Sequence, residues 1–188
     1  IEGVIKRHCD IMDRKDPKKR IALMVDEWGT WWDEEPGTIR GHLYQQNTMR
    51  DAMVAALSLN IFHKYTDRVR MANIAQIVNV LQSMILTDTK GTGHMVLTPT
   101  YHVFKMYTPF QNATYVPLDI QTSTRNVKGG KMHNMEDGSV PFISATAAKT
   151  ASGTTVIAIA NTSLETAQQV AVNLGPIKAK SVGGEILT

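Results

Sequence analysis

Two carboxylates and three tryptophans crowd into residues 26–32, as Asp26, Glu27, Trp28, Trp31 and Trp32, with Gly29 among them. A carboxyl group beside indole rings suits sugar chemistry. Carbohydrate rings present C–H faces that pack on indole, and glycoside cleavage needs carboxyl groups flanking the scissile bond. A plainer reading stays open on this segment alone. Asp26 and Glu27 would cap a helix or pair with an arginine, and the tryptophans would be core.

The element that must position these groups precedes them. Ile21-Ala22-Leu23-Met24-Val25 is a continuous apolar run of the kind that suits a strand buried on both faces. A buried parallel strand that ends in acid and aromatic side chains delivers them into a pocket at its carboxyl end, where α/β barrels and open α/β sheets carry their active sites.

The chain of 188 residues is 43% hydrophobic and has room for one or two domains with a real core. No run approaches the roughly 18 apolar residues of a membrane span. A lone cysteine, Cys9, excludes an internal disulfide and any multi-cysteine metal site, and it reads as a small core residue. The net charge of +3 comes wholly from residues 1–20, which hold seven basic and four acidic side chains. That surplus lies around Arg14-Lys15-Asp16-Pro17-Lys18-Lys19-Arg20, a solvated helix-to-strand turn rather than a nucleic-acid surface. Ile1 is not a start methionine and the chain stops on a strand-like pattern, so it reads as a piece of a longer protein whose compartment stays open.

Taken in order, Ile1, Val4, Ile5, Cys9 and Met12 predict an amphipathic helix ending at Asp16-Pro17. After the strand at Ile21 and an acidic turn, Asp33-Glu34-Glu35-Pro36-Gly37, a long helix is expected from about Tyr44 to Phe62. Met49, Ala52, Met53, Ala56 and Leu57 form its apolar stripe. A strand over Val69–Ala72 follows, then a second helix with Ile74, Ile77, Val78, Leu81, Met84 and Ile85 on one face. Gln76, at the strand's end, is either a partner for a substrate hydroxyl or a capping or core hydrogen bond. Thr87–Gly93 is a polar loop, Met95-Val96-Leu97 a brief strand, and Thr98-Pro99 the start of a helix to about Tyr107. This alternation argues a parallel βα arrangement. Beyond Pro109 the texture changes to short β-type runs: Thr114–Gln121, Val140–Ala147, Thr154–Ala160, Ala167–Leu174 and Ala179–Leu187. They suggest an antiparallel sandwich, with Val170, Val172 and Leu174 on a buried face.

Four blocks in this order resemble the C-terminal part of an α-L-arabinofuranosidase of glycoside hydrolase family 51. They are Val25-Asp26-Glu27-Trp28-Gly29, the stretch from Tyr44 to Ala52, the stretch from Met71 to Leu81, and the stretch from Met95 to Phe104. The resemblance implies an α/β plus β chain, in which residues 1–110 are the last part of a (β/α)8 TIM barrel and residues 111–188 an incomplete, jelly-roll-like antiparallel β-sandwich. Ile21–Asp26 would be the seventh barrel strand and Val69–Ala72 the eighth, with flanking helices. It implies Glu27 as catalytic nucleophile of a retaining mechanism, with Gln76 and Trp31 binding the arabinose. Asp26 is expected to be structural. The family's acid/base glutamate lies in a segment absent from these residues, so the chain alone is expected to be inactive. Arabinose-containing oligosaccharides or polysaccharides would be the partners, without nucleic acid or membrane, and the full-length form would be a homo-oligomer. Two carboxyl groups and water suffice for the chemistry, so no metal or organic cofactor is called for. Two rivals remain: another retaining barrel glycosidase, such as an endoglucanase or xylosidase, and a non-catalytic carbohydrate-binding module.

Overall fold

A computed structural model of the chain describes residues 1–88, 90–130 and 137–188. It opens with helix α1 (Glu2–Lys15), whose Ile5 and Cys9 are buried while Ile1 and Val4 lie open to solvent. Cys9 is a core residue as expected, and burial pushes its thiol pKa up. The helix stops before Pro17. There the Asp16 carboxylate accepts from the Ile21 amide at 2.8 Å and from Arg68 Nη1 at 2.9 Å. Those bonds, the Ile21 amide first, hold the Asp16 carboxyl below the usual carboxylate range. The buried Arg68 also donates to Asp13 Oδ1 at 2.7 Å and to the carbonyls of Ile21 and Asp16 at 2.9 and 2.6 Å. One guanidinium thus ties together the turns that feed two strands.

Those strands are β1 (Leu23–Trp28) and β2 (Val69–Ile74), a parallel pair with Val25 opposite Ala72 and Trp28 opposite Ile74. Burial on both faces of β1 is not what the structure shows. Leu23 and Val25 pack inward, but Ile21 and Met24 are exposed, as is Met71 on β2. Among the described residues β1 has one strand neighbour and one covered face, so its side chains alternate in the half-buried manner.

The covering layer is helix α2 (Met49–Lys64). It starts later than Tyr44, because Thr48 and Asp51 form a capping box. The residues before it are held in other ways, with the Glu35 amide on the Tyr44 carbonyl at 2.9 Å and the Gln46 amide on Glu35 Oε1 at 3.1 Å. Ala52, Ala55 and Ala56 are, together with Phe62, the most deeply packed apolar residues of α2. The core joins Ile5, Cys9, Trp28, these alanines, Phe62, Val69 and Val103 with Ala160 from the C-terminal half.

The second helix expected after β2 does not form. Residues 75–84 run as an irregular loop, followed by strands β3 (Ile85–Thr87) and β4 (Met95–Leu97) in an antiparallel hairpin. Asn79 and Leu81 take φ of 58° and 53°, in the left-handed region that ends a right-handed helix. The Asn79 side chain also supplies rival partners, accepting from the Thr87 amide at 2.8 Å and donating to its hydroxyl at 2.7 Å. Ile77 and Val78, placed on the buried stripe by their spacing, are exposed. In the polar loop that follows, Thr89 lies outside the described residues. Helix α3 (Pro99–Tyr107) then begins on its expected Thr98 cap. No described helix is long and apolar enough to cross a membrane.

After a single 3-10 turn, β5 (Thr114–Val116), β8 (Ile143–Lys149) and β9 (Thr155–Asn161) make one antiparallel sheet in the order β5-β8-β9. A separate ladder joins β6 (Thr124–Val127), which sequence reading missed, to β7 (Gly138–Pro141). The run Val140–Ala147 is broken at Phe142 and divided between β7 and β8. The strands expected over Ala167–Leu174 and Ala179–Leu187 are absent. Val170 and Val172 are exposed, since no facing layer covers them among the described residues, and Leu187 alone of that segment packs on the core.

Candidate active site

Because β1 and β2 are parallel, their carboxyl ends emerge on the same side. Between the pairs Val25–Ala72 and Trp28–Ile74, β1 spends one more residue than β2, a bulge that falls on Asp26 and Glu27. The strict alternation of the strand fails there. Asp26 and Glu27 are both exposed at the strand's end, while Trp28 turns inward. The Trp28 ring stands edge-on to Phe62 at a centroid distance of 5.3 Å and stacks on Phe104 at 6.1 Å. So the residue next to Glu27 is an aromatic anchor in the core, contacts worth about 0.5–1.5 kcal/mol each beyond the area they bury.

The ladder continues past the strands, with the Ala75 amide donating to the Trp28 carbonyl at 2.9 Å. Gln76 follows immediately and is exposed. Glu27 and Gln76 therefore flank the two ends of this one backbone bond, and the fold brings their stretches of backbone together. Trp31 lies further along the loop after β1, 65% exposed. It lines an open cleft of about 380 Å³ with Trp32, Asp33, Glu34, Arg40, Gly41 and Leu43. Glu27 and Gln76 are not in its wall. Trp32 is held against the Arg50 guanidinium, 4.3 Å from its ring centroid, and its amide donates to Gln45 Oε1 at 3.0 Å.

Beneath this surface lies a buried polar layer that sequence reading missed. The Thr30 hydroxyl meets Asp51 Oδ1 at 3.0 Å and Gln82 Oε1 at 2.7 Å, and Gln45 Nε2 reaches Thr30 Oγ1 at 3.3 Å and Asp51 Oδ1 at 3.2 Å. The Thr30 amide also donates to Gln82 Oε1, and Gln82 Nε2 donates to the Ala75 carbonyl. Asp51 serves twice, since its other oxygen accepts from the Thr48 amide at 2.8 Å and caps α2. Gly29 is explained by the same layer. A β-carbon there would fall inside the Gln82 amide. Thr-x-x-Asp at residues 48–51 was a readable capping signal; no local pattern marks Gln45, Gly29 or Gln82.

The arrangement offers an exposed carboxylate at the end of β1, an exposed amide side chain just past the end of β2, and an exposed indole in the loop after β1. Among the described residues, no group of three or more His, Cys, Asp or Glu is arranged to hold a metal ion.

The model of the family described as alpha-L-arabinofuranosidase C-terminal domain matches residues 26–188. An intracellular exo-alpha-L-arabinofuranosidase of Bacteroides ovatus is 58% identical over 188 residues, all of this chain and 35% of that protein. An intracellular exo-alpha-(1->5)-L-arabinofuranosidase of Acetivibrio thermocellus is 34% identical over 95 residues, 44% of this chain and 19% of its own length. Among solved structures, the GH51 arabinofuranosidase from Xanthomonas axonopodis pv. citri matches with a TM-score of 0.74 and 50% identity over 85% of this chain and 30% of its own. The chain thus spans about a third of the length of the Bacteroides ovatus relative, and less of the other.

Proposed function

The chain belongs to the alpha-L-arabinofuranosidase C-terminal domain family, and from that premise we propose that it supplies the nucleophile of a retaining α-L-arabinofuranosidase. On this reading residues 1–110 are the closing part of a (β/α)8 barrel, with β1 and β2 as its seventh and eighth strands. Residues 111–188 form the sandwich domain. The observation that carries it is the exposed Glu27 at the end of β1, with Gln76 just past the end of its parallel neighbour and the Ala75–Trp28 backbone bond between them.

The mechanism follows from that placement. The Glu27 carboxylate attacks the anomeric carbon of a terminal arabinofuranosyl unit. The glycosidic bond breaks as an acid protonates the leaving oxygen, and a glycosyl ester forms on Glu27. Water then attacks the same carbon, gives its proton to the former acid, and frees Glu27 with configuration retained. A retaining pair stands about 5–5.5 Å apart, and the second carboxyl comes from barrel segments outside these residues. Gln76 would hydrogen-bond a ring hydroxyl and Trp31 would border the sugar. Arabinose-containing oligosaccharides or polysaccharides are the proposed substrates, and a homo-oligomer the proposed full-length form.

Assaying the full-length protein on aryl α-L-arabinofuranoside, β-xyloside and β-glucoside tests this. Preference for the arabinofuranoside, with the retained anomer appearing first by NMR, is expected. Preference for xyloside or glucoside would assign it to another retaining barrel glycosidase. If nothing is hydrolysed, the catalytic reading fails.

A further inference from the structure

Gln82 joins the loops after β1 and β2, though the proposed chemistry makes no direct use of it. It is 1% exposed. Thr30, whose amide and hydroxyl meet its Oε1, lies three residues beyond Glu27. Ala75, whose carbonyl accepts from its Nε2, immediately precedes Gln76. We infer that Gln82 is a positioning residue, a cross-link that fixes the nucleophile's strand end against the Gln76 loop so that both address one sugar ring. The inference rests on the function proposed above for Glu27 and Gln76.

The chemistry of the bridge is specific to an amide. A backbone N–H must be met by an acceptor and a backbone carbonyl by a donor. Those two partners set which end of the Gln82 amide is oxygen and which is nitrogen. A carboxylate would have no proton for Ala75, and a thioether has none either and is only a weak acceptor for Thr30. The seat of Gln82 is firm on its own side as well. The Leu81 amide donates to the Leu43 carbonyl at 2.9 Å, and Thr98 Oγ1 donates to the Ser83 carbonyl at 2.7 Å. Gly29 leaves the amide its room. Small displacements of reacting groups cost rate steeply, so a brace between two such loops bears directly on turnover.

The test uses the full-length enzyme with Gln82→Met and Gln82→Glu, on an aryl α-L-arabinofuranoside. For Gln82→Met, kcat should fall at least tenfold while KM rises severalfold, because nucleophile and sugar contact lose alignment together. A purely structural role would lower the folded fraction, and so the apparent kcat, at unchanged KM. Gln82→Glu should carry an ionisation that wild type lacks. Its neutral acid can accept from Thr30 and donate to Ala75, whereas its carboxylate cannot donate, so activity should be lost as pH rises through that step. Hydrogen exchange gives a readout without substrate. Gln82→Met should lose at least tenfold protection at the Thr30 amide and in the Gln76 loop, with α1 and the β8–β9 ladder unchanged. The inference is overturned if both variants match wild type within twofold with the same pH profile, or if exchange is unaltered in those loops. A wild type inactive on every glycoside would instead refute the proposed function, and exchange would still decide the cross-link.

Discussion

Position 29 has no side chain, and the Gln82 amide occupies the space one would need. Gly29→Ala must push back a buried group bonded on both ends, an overpacking that costs about 1–3 kcal/mol. The urea midpoint should fall accordingly, and an unchanged midpoint would contradict the packing described. His63 makes a second prediction. Its ring stacks on Phe110 at 4.9 Å, tilts against Tyr107 at 5.8 Å and meets Thr146 Oγ1 at 3.3 Å. Burial holds its imidazole below the ordinary value of 6.5. The unfolded chain therefore takes up the proton first as pH falls. This contribution is complete above about pH 6.5 and declines below it. Between pH 7 and 5 wild type should lose more stability than His63→Gln; equal losses would refute the assignment. Glu27 stood out in the sequence as a carboxylate among tryptophans after an apolar run, whereas Trp31 and Gln76 were named through the family resemblance. The roles of all three belong to the proposed function. Gly29, Thr30 and Gln82 were not legible, because their meaning is a contact across 52 positions of chain.

Among the elements, α2 depends most on its first turn. Thr48 Oγ1 accepts there from the Arg50 amide at 3.3 Å, while Asp51 closes the box. Thr48→Ala should cost about 0.5–2 kcal/mol in thermal or urea unfolding; no change would mean the cap is not what starts the helix. Elements with an explicit start or stop were readable from sequence, as Asp16-Pro17 for α1 and Thr98-Pro99 for α3 show. Residues 75–84 were misread as a helix because their apolar spacing fits one, while Asn79 supplied side-chain bonds that competed with it. The C-terminal alternation of Val170, Val172 and Leu174 misled for a different reason. A period of two predicts a buried face only where a second layer exists to bury it.

At the scale of the molecule, the two halves are stitched by α2. Asn60 Nδ2 donates to Ser144 Oγ at 3.0 Å on β8 and Asn60 Oδ1 accepts from the Tyr107 hydroxyl at 2.6 Å on α3. Burial at this junction pushes the Tyr107 phenol above the usual tyrosine range. The larger chemistry is divided differently on the proposed reading, which gives these residues the nucleophile and assigns its acid/base partner to barrel segments outside them. Residues 1–188 expressed alone should therefore turn over no aryl arabinofuranoside, and measurable hydrolysis by them would show that the second carboxyl lies within them. The most direct measurement is made on the full-length protein, comparing wild type with Glu27→Ala on an aryl α-L-arabinofuranoside, with and without azide. Turnover should drop by several orders of magnitude, and azide should restore it by filling the space of the lost carboxylate, giving the glycosyl azide of inverted configuration. Near-normal turnover by Glu27→Ala would contradict the account, leaving Asp26-Glu27-Trp28 a structural strand end.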